Sequence, residues 1–312
     1  MGKVWVDHMV LDSFAEGIRR RGLSVDGIQV IQDGETVGRL LFSEDVPHCV
    51  YSAGKGFIST AVGIALDEGL LSLRDRPAEM FGEHLPDRLA DGYERITLKH
   101  LLTMSSGHDR ALLMEKERLQ LTETDWIRYF FEQPLVYEPG SKFVYSNASS
   151  YLASCMVEKV TGSKLQDFVY ERIFRPLDIP WCRWLDCPMG HTFSPTGLYM
   201  RIGDLIKLGV LYLGGGEYRG SRVVSGDYVA AATKKQIESS QISPVGEGED
   251  ELYGYGYQFW MCRYPGVYRA YGRLGQFVIV VPDKHAVIAT LADEQDVQGI
   301  LDTVWETVFP QL

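Results

Sequence analysis

The chain has 312 residues, 45% hydrophobic and 23% charged, the composition of a globular protein long enough for one large domain or two closely packed lobes. Its formal net charge of −11 argues against a nucleic-acid partner, because phosphate binding needs clustered lysine and arginine. No run of about 18 apolar residues is present to span a membrane, and no basic leader with an apolar core opens the chain.

In chain order, residues 7–21 place Met9, Val10, Phe14 and Ile18 at helical spacing and predict an amphipathic helix ending in Arg19, Arg20 and Arg21. Residues 28–42 predict a hairpin, since Asp33-Gly34 between two β-rich runs suits a tight turn. Residues 51–57 read YSAGKGF and lead into a small-residue apolar run stopped by Gly69. If a helix begins near Ser52, Lys55 shares its face, and both sit where the helix N-terminus favours negative charge. From 70 to 214 the pattern is helical and loop-rich, with helices expected at 96–104, 125–131, 149–160, 165–173 and 201–213. Strands are expected at 254–261, 267–270, 276–281 and 286–291, then a closing helix at 293–309. Residues 246–251 (GEGEDE) predict an exposed acidic loop, and specificity is expected in the loops at 108–125 and 238–252.

This order predicts an α+β fold. Residues 1–69 and 215–312 would form an α/β sandwich lobe, an antiparallel sheet flanked by helices. Residues 70–214 would form a helical lobe, with the active site at the interface. The five cysteines (Cys49, Cys155, Cys182, Cys187, Cys262) are odd in number and scattered, which points to free thiols in a reducing cytoplasm. Cys182, Cys187 and His191 fit no zinc spacing and lack a fourth ligand, so no metal and no cofactor are expected.

Ser52 and Lys55 taken alone are also what a capped helix start looks like. Two further stretches can join them. Tyr145-Ser146-Asn147 holds the only asparagine of the chain, and residues 271–276 (YGRLGQ) bring glycines to the entrance of a strand. The aromatic residues Tyr253, Tyr255, Tyr257, Phe259 and Trp260 read as strand packing rather than as a substrate wall.

Ser-x-x-Lys, then Tyr-x-Asn 93 residues after Ser52, then a glycine-rich strand entrance 127 residues further, resembles the penicillin-binding-protein-like serine hydrolases. That family includes class C β-lactamases, D-alanyl-D-alanine carboxypeptidases, esterases and nylon-oligomer hydrolases. The likeness extends through ITLKHLLTMSSG and PTGLYMRIGDLIKLGVLYLGGGEYRG and covers about residues 27–310. It implies the β-lactamase/transpeptidase-like fold. It implies Ser52 as acylated nucleophile, Lys55 as the group that eases its deprotonation, and Tyr145 as general base and then acid, helped by the Lys55 charge. Asn147 would hold Lys55 or the substrate carbonyl. The backbone N–H groups of Ser52 and Arg273 would form the oxyanion hole, with Gly272, Gly275 and Gln276 on the substrate side.

One departure directs the choice of activity. Where β-lactamases and peptidases of the family carry Lys or His before Thr/Ser-Gly, this chain has Ala270-Tyr271-Gly272. The resemblance therefore implies a serine hydrolase of a small ester or amide, with no nucleic-acid or membrane partner. A β-lactamase or carboxypeptidase, and an acyl-binding sensor without turnover, are the alternatives. Arg273 is open to two readings, a donor to an acidic substrate group or a solvent-facing side chain.

Overall fold

The computed structural model describes residues 9–239 and 248–312. Six strands form one antiparallel sheet: β1 (Val25–Gln32), β2 (Glu35–Leu41), β3 (Trp260–Met261), β4 (Tyr268–Gly272), β5 (Gln276–Val281) and β6 (Ala286–Ala292), in the order β2-β1-β6-β5-β4-β3. The hairpin β1–β2 turns where expected, with Asp33 and Gly34 both at positive φ (51° and 82°).

Five helices place this sheet and the site. They are α1 (Met9–Arg21), α2 (Lys55–Asp67), α3 (Asn147–Thr161), α4 (Ile202–Leu213) and α5 (Val297–Thr307). The run FVIVV in β5 is apolar throughout because both faces of the sheet are covered. Phe277, Ile279 and Val281 share a core with Phe14 and Ile18 of α1 and Ile300 and Val304 of α5. Val278 and Val280 share the opposite core with Leu205 and Leu208 of α4. Shorter helices, including Leu98–Leu102 capped by Thr97 and Trp126–Glu132 capped by Asp125, build the helical layer around α2 and α3. Among the described residues, no helix is long and apolar enough to cross a membrane.

Three expectations change. The helix at 202–213, placed by the sequence in the helical lobe, packs on β1, β5 and β6. Helix α2, placed with the sheet, packs instead against α3 and Leu165–Val169. Of the strand expected over 254–261, only Trp260 and Met261 join the sheet as a strand, and Gln258 at φ 68° turns the chain so that Tyr255 bridges back to Trp260. Gln258 is buried there and donates to the Leu102 carbonyl.

The acidic stretch is also not an open loop. Residues 246 and 247 lie outside the described residues, but Asp250 is 0% exposed and Glu251 is 3% exposed. The Asp250 carboxylate accepts hydrogen bonds from Arg263 (2.6 Å to Nη2), Gln298 (2.8 Å) and the Trp305 indole (3.2 Å). Burial, the largest single effect, would raise its pKa, but Arg263, Arg269 and Gln298 together outweigh it and hold it below the usual aspartate value. A depressed folded-state pKa adds stability above the unfolded value, and that stability is lost as pH falls through the folded one. Asp250→Asn is therefore expected to cost about 1–3 kcal/mol, the range for leaving buried hydrogen-bond partners unmet, since Arg263 keeps Asp302 at 3.1 Å, and to flatten the acid limb of a plot of stability against pH. An unchanged acid limb in the variant would show that this carboxylate carries none of it.

Candidate active site

Ser52 lies in a single 3-10 turn, Tyr51–Gly54, and Lys55 is the first residue of α2. The expected helix thus starts three residues later than Ser52. The 3-10 turn keeps i and i+3 eclipsed, so the lysine still meets the serine. Tyr51 holds φ 46°, an unusual conformation for a residue with a side chain, directly before Ser52.

Lys55 is 1% exposed, and its amine makes three hydrogen bonds. It lies 2.8 Å from Ser52 Oγ, 2.8 Å from Asn147 Oδ1 and 2.9 Å from the Pro195 carbonyl oxygen. The Asn147 amide is oriented by its own Nδ2, which donates to the Leu113 carbonyl at 3.2 Å. Two of the three partners of Lys55 are therefore acceptors only. Burial pushes the Lys55 pKa well below the usual lysine value. A neutral amine in this position gives its two N–H groups to Asn147 and Pro195, and its lone pair faces the Ser52 hydroxyl.

Tyr145 enters from the residues just before α3. Its ring stacks on Trp260 (centroids 5.6 Å, 23°) and meets Tyr255 edge-on. Lys55 Nζ sits 5.0 Å from its ring centroid rather than on its hydroxyl. Burial raises the pKa of the Tyr145 phenol, and a side-chain hydrogen bond with Ser52 only partly opposes this. A phenolate sustained by an ammonium, the arrangement expected from the sequence, is thus disfavoured on both sides of the pair.

The sheet reaches the site through the end of β4. Strand β3 pairs only with Tyr268 and Arg269, which leaves the outer edge of residues 270–272 facing the Ser52 turn. The approach is close enough to require glycine: a Cβ on Gly272 would lie 2.2 Å from the Val50 carbonyl oxygen and 3.0 Å from the Ala53 nitrogen.

Ser52, Tyr145, Asn147 and Arg273 line one cavity of about 950 Å³. Gly272, Gly275 and Gln276 do not. Gly275 holds φ 92° in the turn, tight against Ile300 of α5. Gln276 is buried and bonds to both backbone groups of Ala292 and to the Arg273 carbonyl, so it braces the turn from behind. The Arg273 side chain is 60% exposed and carries a surface ion pair. It bonds to Glu115 at 2.8 Å from the opposite wall. Of the aromatic stretch, Tyr255, Tyr257, Phe259 and Trp260 are buried as packing residues.

Sequence reasoning did not find the Pro195 carbonyl, held in a loop that Trp184 Nε1 anchors at Thr196, whereas Met114, Lys116, Arg118 and Leu119, which line the cavity, fall in the 108–125 stretch where specificity was expected. A backbone acceptor leaves no residue-type signal. The trio Cys182, Cys187 and His191 is not brought together as a set: Cys182 Sγ bonds to the Pro180 carbonyl. Cys155, Glu158 and His191 do lie with their ligand atoms within 4.8 Å of one another. There Glu158 already accepts from His191, Leu165 N and Thr192 N, a role that ties α3 to two loops.

The family model described as Beta-lactamase matches residues 11–300. The chain belongs to the beta-lactamase family. This is a family of serine hydrolases, with esterases, acyltransferases and amide hydrolases among the relatives. The 6-aminohexanoate-dimer hydrolase of Paenarthrobacter ureafaciens is 25% identical over 65% of this chain and 56% of its own. The acyltransferase mokF of Monascus pilosus is 27% identical over 43% of this chain and 37% of its own. The chain thus spans about a third to a half of the length of these relatives. Among solved structures, "EstCE1, a hydrolase with promiscuous acyltransferase activity" superposes with a TM-score of 0.77 at 15% identity, covering 97% of this chain and 98% of that one. A family VIII carboxylesterase gives 0.74 at 17% identity, covering 100% and 99%. At these identities the structures show a shared fold, the β-lactamase/transpeptidase-like fold that the motif order implies.

The approach at Gly272 gives a test that needs no known substrate. Gly272→Ala is expected to slow labelling of Ser52 by a serine-reactive phosphonate about 10²-fold, the cost of misplacing a reacting group by about 1 Å. An unchanged rate would show that the strand end can retreat without disturbing the Ser52 turn.

Proposed function

We propose that this protein cleaves a small ester or amide through an acyl-enzyme on Ser52. The observation that carries the reading is the buried Lys55 amine, hydrogen-bonded to Ser52 Oγ with its other two bonds on obligate acceptors. Lys55 takes the Ser52 proton as Oγ bonds to the substrate carbonyl carbon. The oxyanion is received by the backbone N–H groups of Ser52 and Arg273, at the close approach of β4 to the 3-10 turn. Tyr145, neutral and beside Ser52, gives its phenolic proton to the leaving alcohol or amine as that bond to the carbonyl breaks, and takes in its place the proton that Lys55 received from Ser52, so both groups are neutral again in the acyl-enzyme. Water then attacks the acyl carbon, and the same groups return the serine. The relatives named for ester and amide hydrolysis support the class, and Ala270 stands where β-lactamases and peptidases of the family carry a cation.

A fluorophosphonate is expected to modify Ser52, and Ser52→Ala to bring hydrolysis of short p-nitrophenyl esters to the uncatalysed background. Labelling at another residue, or turnover in the variant, would remove Ser52 from the mechanism. The pH profile tests the base. The active form is the neutral amine, so kcat/KM rises with pH through the lowered Lys55 pKa and levels off well below the range of an ordinary lysine. A limb that appears only near pH 10 would exclude Lys55 as the base. Tyr145→Phe is expected to lose about 10²–10⁴-fold in kcat, the usual worth of a placed acid–base group, and an undiminished rate would assign the leaving-group proton elsewhere.

A further inference from the structure

Six charged residues line the cavity in front of Ser52: Glu115, Lys116, Arg118, Arg273, Glu294 and Asp296. Their partners sort them. Arg273 and Glu115 neutralise each other across the mouth. Glu294 accepts from the backbone N–H groups of Ser24 and Asp296, and Asp296 caps α5 through Gly299 N. The cations Lys116 and Arg118 remain, on the wall next to Asn147, and among the described residues neither has a carboxylate partner.

Arg118 is the better placed of the two. Lys116 is exposed, whereas Arg118 is partly buried and its guanidinium lies 4.9 Å from the centre of the fully buried Phe193 ring. That contact holds the group in place. Its Nε is enclosed by protein, so the Nη groups are the donors left to meet a ligand in the cavity. The two Nη groups of a guanidinium present donors in one plane, spaced to match the two oxygens of a carboxylate. Charge and fixation thus coincide at one residue of the cavity wall.

We propose that the substrate carries a carboxylate and that Arg118 is the residue that binds it. The proposal rests on reading this cavity as the site of a Ser52 hydrolase, and it names the substrate class of that site. The cation missing at Ala270 is supplied by the helical side of the cleft, while Arg273 is spent on Glu115.

The test uses two p-nitrophenyl esters of equal acyl length, the neutral valerate and the mono-ester of glutarate, whose far end is a carboxylate. The readout is the ratio of kcat/KM for the anionic over the neutral ester. Arg118→Gln is expected to lower this ratio at least tenfold, Arg118→Lys to lower it less, and added salt to lower it in the unaltered protein. An unchanged ratio in Arg118→Gln overturns the proposal, and so does an equal loss on both esters. Binding is measured separately by calorimetry on Ser52→Ala, which needs no turnover. There the anionic ester should bind at least tenfold more weakly once Arg118→Gln is added. If neither ester is turned over but this difference in binding is found, the hydrolase reading fails and the carboxylate subsite stands. Turnover without any Arg118 dependence in rate ratio or binding has the opposite meaning.

Discussion

An amine taken out of water must either lose its charge or fill every donor position, because an unpaired buried ammonium is far too costly to keep. Lys55 is held at that limit. It is buried beneath Ser52, its only neighbours within bonding distance are oxygens, and no carboxylate stands among them to keep it protonated. Much of the surrounding structure serves this one side chain. The first residue of α3 supplies the side-chain oxygen, the 195–196 loop supplies the carbonyl, and the Leu113 carbonyl fixes which end of the Asn147 amide faces inward.

The same low-polarity surroundings act on Tyr145 in the opposite chemical sense. Burial lowers the pKa of a base that is charged when protonated and raises that of an acid that is charged when deprotonated. Both groups are driven to their neutral forms, which suits a short relay through Ser52 better than a standing ion pair. The stacked Trp260 and the edge-on Tyr255 hold the phenol ring without offering it a competing hydrogen bond. The aromatic stretch ahead of β4 therefore contributes to the site from behind, as packing.

Much of this was legible in the chain itself. Ser52, Lys55, Tyr145 and Asn147 stand in recognisable spacing, and the β1–β2 hairpin and most helices follow from turn residues and apolar periodicity. Misplaced features share a cause. Gln276 and Gly275 look like site residues because they adjoin Gly272 in sequence, yet a strand entrance turns side chains both toward and away from the cleft, and these two brace the turn against Ala292 and Ile300. Asp250 looks like part of a solvated acidic run, yet Arg263, Gln298 and Trp305 converge on it from distant positions. The helix at 202–213 shows the apolar face that any buried helix needs, and that face does not say whether a sheet or another helix will cover it.

The sequence by itself determined the chemistry available: a serine with a lysine three residues on, a tyrosine and a lone asparagine two apart, and glycines where chain segments must meet. Those are local facts, set by residue type and short spacing. Only the tertiary structure decided which form each group takes and what faces the cavity. The neutral preference of Lys55 and Tyr145 comes from burial, the pairing of Arg273 with Glu115 from the meeting of two walls, and the unpartnered Arg118 from where the acids went instead. Solvation and charge pairing are sums over neighbours distant in sequence, and those neighbours are assigned only when the chain is folded.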